Sequence, residues 1–163
     1  MERVKKMKQV FYSNSQEETV HFAEKMGTLL KPSDVILLEG DLGAGKTTFT
    51  KGLAKGLGID KVIKSPTFTI VREYKNGQLP LYHMDVYRLE EASIDELGLF
   101  EYFDAGGVSV VEWAHFIASE LPNMYLKLTI KRVSDEKREF ILESFGARYD
   151  QLLAEVMNND SRN

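Results

Sequence analysis

Two compact apolar runs, Val35-Ile36-Leu37-Leu38 and Val108-Ser109-Val110-Val111, interrupt a chain that is otherwise alternating or amphipathic. Short runs of this kind fit strands buried on both faces, as in a parallel sheet. Period-2 alternation predicts further strands at Gln9 to Tyr12, Thr69 to Tyr74, Leu79 to Val86, Tyr125 to Arg132 and Arg138 to Glu143, with Asn76-Gly77 as a hairpin turn. Helical spacing of Val20, Ala23, Met26, Gly27 and Leu30 predicts a helix that begins at the capping box Ser15-Gln16-Glu17-Glu18 and is broken at Lys31-Pro32. A second helix, Thr47 to Leu57, carries Phe49, Leu53, Ala54 and Leu57 on one face and stops at Gly58. A third spans Leu89 to Phe103, with Ser93 as its cap and Asp95 and Glu96 in its first turn, ending near Gly106-Gly107. A fourth runs from Ala147 to Met157, and the polar residues 158–163 are expected to be a disordered tail. Together these predict an α/β fold: parallel central strands extended by antiparallel ones, with helices on both faces.

At 163 residues and 43% hydrophobic content, the chain suits a single domain spanning 1–163. It has no cysteine, which excludes disulfides, thiolate metal sites and cysteine nucleophiles. The basic start (Arg3, Lys5, Lys6, Lys8) lacks the apolar stretch of a signal peptide, and no run reaches the roughly 18 residues of a membrane span, so a cytoplasmic protein is expected. A net charge of −4 argues against a large nucleic-acid footprint; any RNA would be held by a partner.

The chemistry concentrates at Gly40-Asp41-Leu42-Gly43-Ala44-Gly45-Lys46-Thr47, which matches the phosphate-loop pattern between a strand and a helix. Its glycines let backbone N–H groups turn inward around a phosphate, Lys46 adds a point charge, and the Thr47 hydroxyl is the expected magnesium ligand. Ser65-Pro66-Thr67 and Asp85 bracket the predicted hairpin. They suggest a switch-type threonine near a γ-phosphate and an aspartate near the metal, against the plainer readings of a cap and a surface turn. Glu112 and Trp113 close the second apolar run at the strand edge where ligands bind in open α/β sheets. Glu112 suits a metal contact or a water-orienting acid, or else a solvated strand end; Trp113 either stacks or packs. His21 reads as a surface or packing residue. A GTPase is spelled by Asp104-Ala105-Gly106-Gly107, but that segment follows a helical pattern, and no N-K-x-D segment is present to read guanine. A small-molecule kinase would need an arginine-bearing lid, whereas Arg132, Arg138 and Arg148 are scattered. A nucleotide-gated binding module is the remaining alternative.

In this order and spacing, over about residues 9–145, Gly40 to Thr47, Ser65-Pro66-Thr67-Phe68, His83-Met84-Asp85-Val86-Tyr87-Arg88 and Val111-Glu112-Trp113 resemble the TsaE family, also called YjeE/YdiB. The resemblance implies a small bacterial P-loop ATPase that supports N6-threonylcarbamoyladenosine formation in tRNAs reading codons that begin with A. It implies ATP and Mg²⁺ as cofactors and the TsaD–TsaB pair as protein partners. Hydrolysis would reset that complex between rounds, with tRNA met only through the complex and neither DNA nor membrane involved. Carried over by motif, Gly40, Asp41, Leu42, Gly43, Ala44 and Gly45 form the loop. Lys46 and Thr47 hold the β/γ-phosphates and magnesium, with Thr48 beside them. Glu112 is a magnesium-linked or water-orienting acid, Asp85 and Thr67 complete the metal and γ-phosphate side, Trp113 lines the site, and Arg138 matches an arginine near the nucleotide. How Asp85 and Glu112 divide metal binding from water activation stays open at this level.

Overall fold

The computed structural model describes residues 6–41, 43–66, 70–87, 98–115, 117 and 121–160. Its elements run β1 (Lys6–Ser13), α1 (Gln16–Leu29), β2 (Val35–Glu39), α2 (Lys46–Gly56), β3 (Val71–Tyr74), β4 (Leu81–Asp85), α3 (Phe100–Phe103), β5 (Val108–Glu112), β6 (Tyr125–Arg132), β7 (Arg138–Phe145) and α4 (Ala147–Asp160). The strands form one sheet in the order β1-β7-β6-β2-β5-β4-β3. The two apolar runs become β2 and β5, which pair in parallel at its centre. β4 and β6 add parallel neighbours, and β3, β7 and β1 extend the sheet with antiparallel pairings.

Strand pleating sorts the central side chains into two cores. Ile36, Leu38, Val108 and Val110 face Phe22 of α1, Phe49 and Leu53 of α2, and Leu152 and Val156 of α4. Val35, Leu37, Met84 and Val111 face the other way, where Leu99 and Phe103 at α3, with Ala114 and Ile117, cover them. Helical cover therefore lies on both faces, with the three long helices on the first. Where β1, β7 and β6 lie side by side, the outward face carries charged pairs on either side of the Val10–Ile141 pair. Lys8 pairs Glu143, which pairs Lys127, and Tyr12 pairs Glu139, which pairs Lys131. Opposite charges on adjacent strands let that face remain in water.

Three local expectations change. The ladder between β3 and β4 closes at Tyr74 and Leu81, so the reversal around Asn76-Gly77 takes in 75–80 rather than only the Lys75 to Gln78 between the expected strands. The loop docks on the end of α2, where Gln78 N donates to Leu57 O at 2.7 Å; a Cβ on Gly77 would lie 2.5 Å from that same oxygen. Of the span expected as one helix, Leu89 to Phe103, residues 98–103 are described: Gly98, at φ 65°, and Leu99 form a turn ahead of α3, so the helix there is confined to Phe100–Phe103; Ser93 and the rest of 89–97 lie outside the described residues. Helix α4 continues through Asp160, past the expected stop at Met157. Neither glycine nor proline is present there to end it.

Helices α1 and α2 touch through backbone. A Cβ on Gly56 would sit 2.3 Å from Glu24 O, and one on Gly27 would sit 2.5 Å from Leu53 O. This approach sets the start of α1 beside the start of α2. For Gly56→Ala, the helix-propensity gain of about 1 kcal/mol is smaller than an overpacking cost of about 3 kcal/mol against a carbonyl that cannot turn away. A net loss of about 2 kcal/mol lowers the Tm by roughly 4–8 °C. A thermal melt at or above the parent's would contradict the contact.

Candidate functional site

Gly45 is the N-cap of α2, in left-handed conformation at φ 113° and ψ 18°, and no side chain caps the helix. Gly43, at φ 79°, has open space where a Cβ would stand. Ala44 N turns back to Asp41 O at 3.0 Å, and Phe49 N makes the first helical bond to Gly45 O at 2.9 Å. The N–H groups at the start of α2 are thus presented outward with the positive end of the helix dipole, which is the elementary anion site of a helix N-terminus. Arg138 fastens this loop from across the sheet. Its Nε donates to Ala44 O at 2.9 Å, and Nη1 donates to Ser134 O at 2.8 Å and Asp135 O at 3.2 Å.

The acids arrive from the carboxyl ends of adjacent parallel strands, where Asp85 of β4 pairs in register with Glu112 of β5. Both are buried. Asp85 Oδ1 accepts from Tyr87 N at 2.9 Å. Glu112 Oε1 lies 3.6 Å from Lys46 Nζ, and Oε2 lies 2.5 Å from His83 Nε2. Lys46 is itself only 7% exposed, and its ammonium sits 4.3 Å from the Trp113 ring centroid. Trp113 adopts φ 61°, a conformation that costs a non-glycine residue on the order of 1–3 kcal/mol and that clusters at functional sites. The ring centroid lies 4.8 Å from that of Tyr87.

These groups border a cavity of about 530 Å³. It brings together Gly43, Gly45, Lys46, Thr47 and Thr48 of the loop and α2, Asp85, Glu112 and Trp113 of the strand ends, and Arg138. Gly40, Asp41 and Ala44 instead border a neighbouring depression beside Thr129 to Arg132. Leu42 and Thr67 lie outside the described residues; Ser65, from the same motif as Thr67, lines the cavity. Asp104 caps the end of α3, so the D-x-x-G spelling closes a helix and stands apart from this edge.

Sequence reasoning missed three contributors. Ser15, Gln16, Glu17 and Thr19 line the cavity from the start of α1, and Asp135 and Glu136 from the β6–β7 turn. The capping box marks where a helix starts but carries no sign of what it lands beside. His83 stands in a motif that by itself assigns it no role. Its parity with Asp85 on β4 was the available signal, since residues two apart share a strand face.

Among the described residues, no group of three or more His, Cys, Asp or Glu could hold a metal by itself. The cavity is lined by the Thr47 hydroxyl and the Asp85 and Glu112 carboxylates, hard donors of the kind that hold Mg²⁺, which is usually bound by one or two carboxylates together with substrate phosphates and water. An open N–H cradle, a buried lysine and this donor set fit a magnesium–polyphosphate ligand.

Comparison with known proteins gives a consistent result. The sequence profile described as TsaE, threonylcarbamoyl adenosine biosynthesis protein TsaE, matches residues 13–140. A Bacillus subtilis (strain 168) protein named tRNA threonylcarbamoyladenosine biosynthesis protein TsaE is 54% identical over 145 residues, which covers 89% of this chain and 91% of that one. A Treponema pallidum (strain Nichols) protein of the same name is 45% identical over 130 residues, covering 78% and 94%. A crystal structure of Bacillus subtilis YdiB is similar with a TM-score of 0.83 and 48% identity, over 98% of this chain and 99% of that one. Among the described residues, no helix is long and apolar enough to cross a membrane.

Proposed function

This chain belongs to the TsaE family of threonylcarbamoyl adenosine biosynthesis proteins, which serves tRNA threonylcarbamoyladenosine formation, and from that membership we propose that it binds and hydrolyses ATP with Mg²⁺. The observation that carries the proposal is the convergence, on one cavity, of the uncapped α2 N-terminus, buried Lys46 and two carboxylates from adjacent strand ends. Lys46 and the N–H groups of the loop hold the β- and γ-phosphates, and Thr47 and Asp85 take the magnesium side. Magnesium, when bound, neutralises charge on the phosphoryl oxygens. Glu112 orients the attacking water, its carboxylate being anchored on both oxygens. Trp113 and Tyr87 wall the site with aromatic surface. The partner is the TsaD–TsaB pair, which is reset between rounds of modification, and tRNA is reached only through that complex.

Side-by-side calorimetric titration tests the ligand. Magnesium ATP is expected to bind at least about tenfold more tightly than magnesium GTP, a difference of about 1.4 kcal/mol. Tighter GTP binding would reverse the choice of base, and no heat with either would remove the proposal. ATP turnover is expected to be slow for the chain alone and faster with TsaD and TsaB added; equal rates would discard the regulatory role.

A further inference from the structure

His83 lies two residues before Asp85 on β4, so both side chains take the same face of the sheet. It is wholly buried and does not line the cavity. In register it pairs with Val110 rather than Glu112, so its ring reaches the carboxylate diagonally, within the range of a long side chain on the next strand. Nε2 stands 2.5 Å from Glu112 Oε2, whereas Nδ1 has no hydrogen-bond partner among the described residues.

A neutral imidazole carries one proton, on one nitrogen or the other. On Nδ1, that proton would have no acceptor among the described residues, and the bare Nε2 would set its lone pair against a carboxylate oxygen; both are costly away from water. On Nε2, it is donated to Glu112. The surroundings thereby select the tautomer.

We propose that His83 is a positioning residue for Glu112. Its Nε2–H grips Oε2 and so fixes the carboxylate with Oε1 directed at Lys46 Nζ, 3.6 Å away. A glutamate has three side-chain torsions, and its terminal one is broad. Without the grip, the carboxylate would rotate about that bond, and the oxygen that aligns water would be in place for only part of the time. The inference rests on the reading of Glu112 as the water-orienting acid of an ATPase.

Two measurements test it. The first needs no nucleotide: a ¹⁵N–¹H correlation of the imidazole nitrogens, with His83 assigned by the signal lost in His83→Gln, is expected to show its proton on Nε2. A proton on Nδ1 with Nε2 bare overturns the proposal. The second compares His83→Leu, which fills the space without a donor, with His83→Gln, whose amide nitrogen falls near the position of Nε2. The leucine variant is expected to lower kcat about tenfold to a hundredfold, the range found when groups that orient a ligand are removed. KM for ATP should stay within about threefold of the parent's, and glutamine should restore most of the rate. Equal kcat losses in both variants, or a rise in KM that accounts for the whole effect, would reduce His83 to a packing residue. Should the leucine variant melt before assay, the glutamine rate and the tautomer decide. A parent chain that binds ATP but never turns it over refutes the ATPase reading, and the tautomer then judges the His83–Glu112 contact on its own.

Discussion

A Lys46→Met variant is expected to bind magnesium ATP at least about a hundredfold more weakly than the parent, a loss of roughly 3 kcal/mol. The size follows from placement. Two unit charges about 4 Å apart interact by about 4 kcal/mol at the effective dielectric of a protein site, and Lys46 is 7% exposed, so solvent screens it little. Part of the parent's binding is already offset, because the ammonium rests between Glu112 and the Trp113 ring and must share its charge with the phosphates. Methionine keeps the unbranched stem that packs there and removes only the charge. It also leaves Glu112 as a buried carboxylate without its cation, a destabilising arrangement that would repel a polyphosphate independently. The double variant Lys46→Met with Glu112→Gln separates the two causes. If the lost ammonium is responsible, the double variant stays weak; if repulsion is, most of the affinity returns. Parent-like affinity in the single variant, measured by titration calorimetry, would show that Lys46 does not meet the ligand.

What could be read in the chain beforehand was local. The runs at β2 and β5 are apolar because both faces of a central parallel strand are covered, and that shows in a few consecutive residues. The phosphate loop fixes its residue types within one turn, and the order strand, loop, helix is found as expected. What could not be read depends on contacts far apart in sequence. Arg138 reaches Ala44 across 94 positions, and only the sheet order places β7 where it can. The start of α1 reaches the cavity because Gly27 and Gly56 let two helix backbones touch, and each glycine alone reads as a weak helix residue. His83 lies inside a quoted motif, but only the pairing of β4 with β5 brings it to Glu112. Trp113 lies over Lys46 from a strand end with left-handed backbone, a placement that composition does not reveal.

A Glu112→Gln variant is expected to keep ATP affinity within about threefold of the parent while losing about a hundredfold to a thousandfold in single-turnover hydrolysis. Glutamine has the shape of glutamate, and its amide oxygen can still accept from His83, which leaves its NH₂ in place of an oxygen beside Lys46, so the cavity keeps its shape while the contact with the ammonium is lost. What disappears is the negative charge that draws a proton from, and aligns, a water beside the γ-phosphate. Binding may be compared directly because the same change also frees Lys46 from a competing carboxylate, which pushes affinity upward if anything. Asp85→Asn provides the contrast. With its oxygen placed on the magnesium side, loss of that charge should raise the magnesium concentration needed for half-maximal binding by about tenfold or more, consistent with 1.4 kcal/mol or more for one charged ligand. The pair of results assigns the acids: Glu112 affects the rate at constant binding, and Asp85 affects binding through the metal. If instead Glu112→Gln shifts the magnesium requirement and Asp85→Asn leaves it alone, the two roles are exchanged. The buried Lys46–Glu112 contact would then mark the metal side of the site, and water would be oriented from β4.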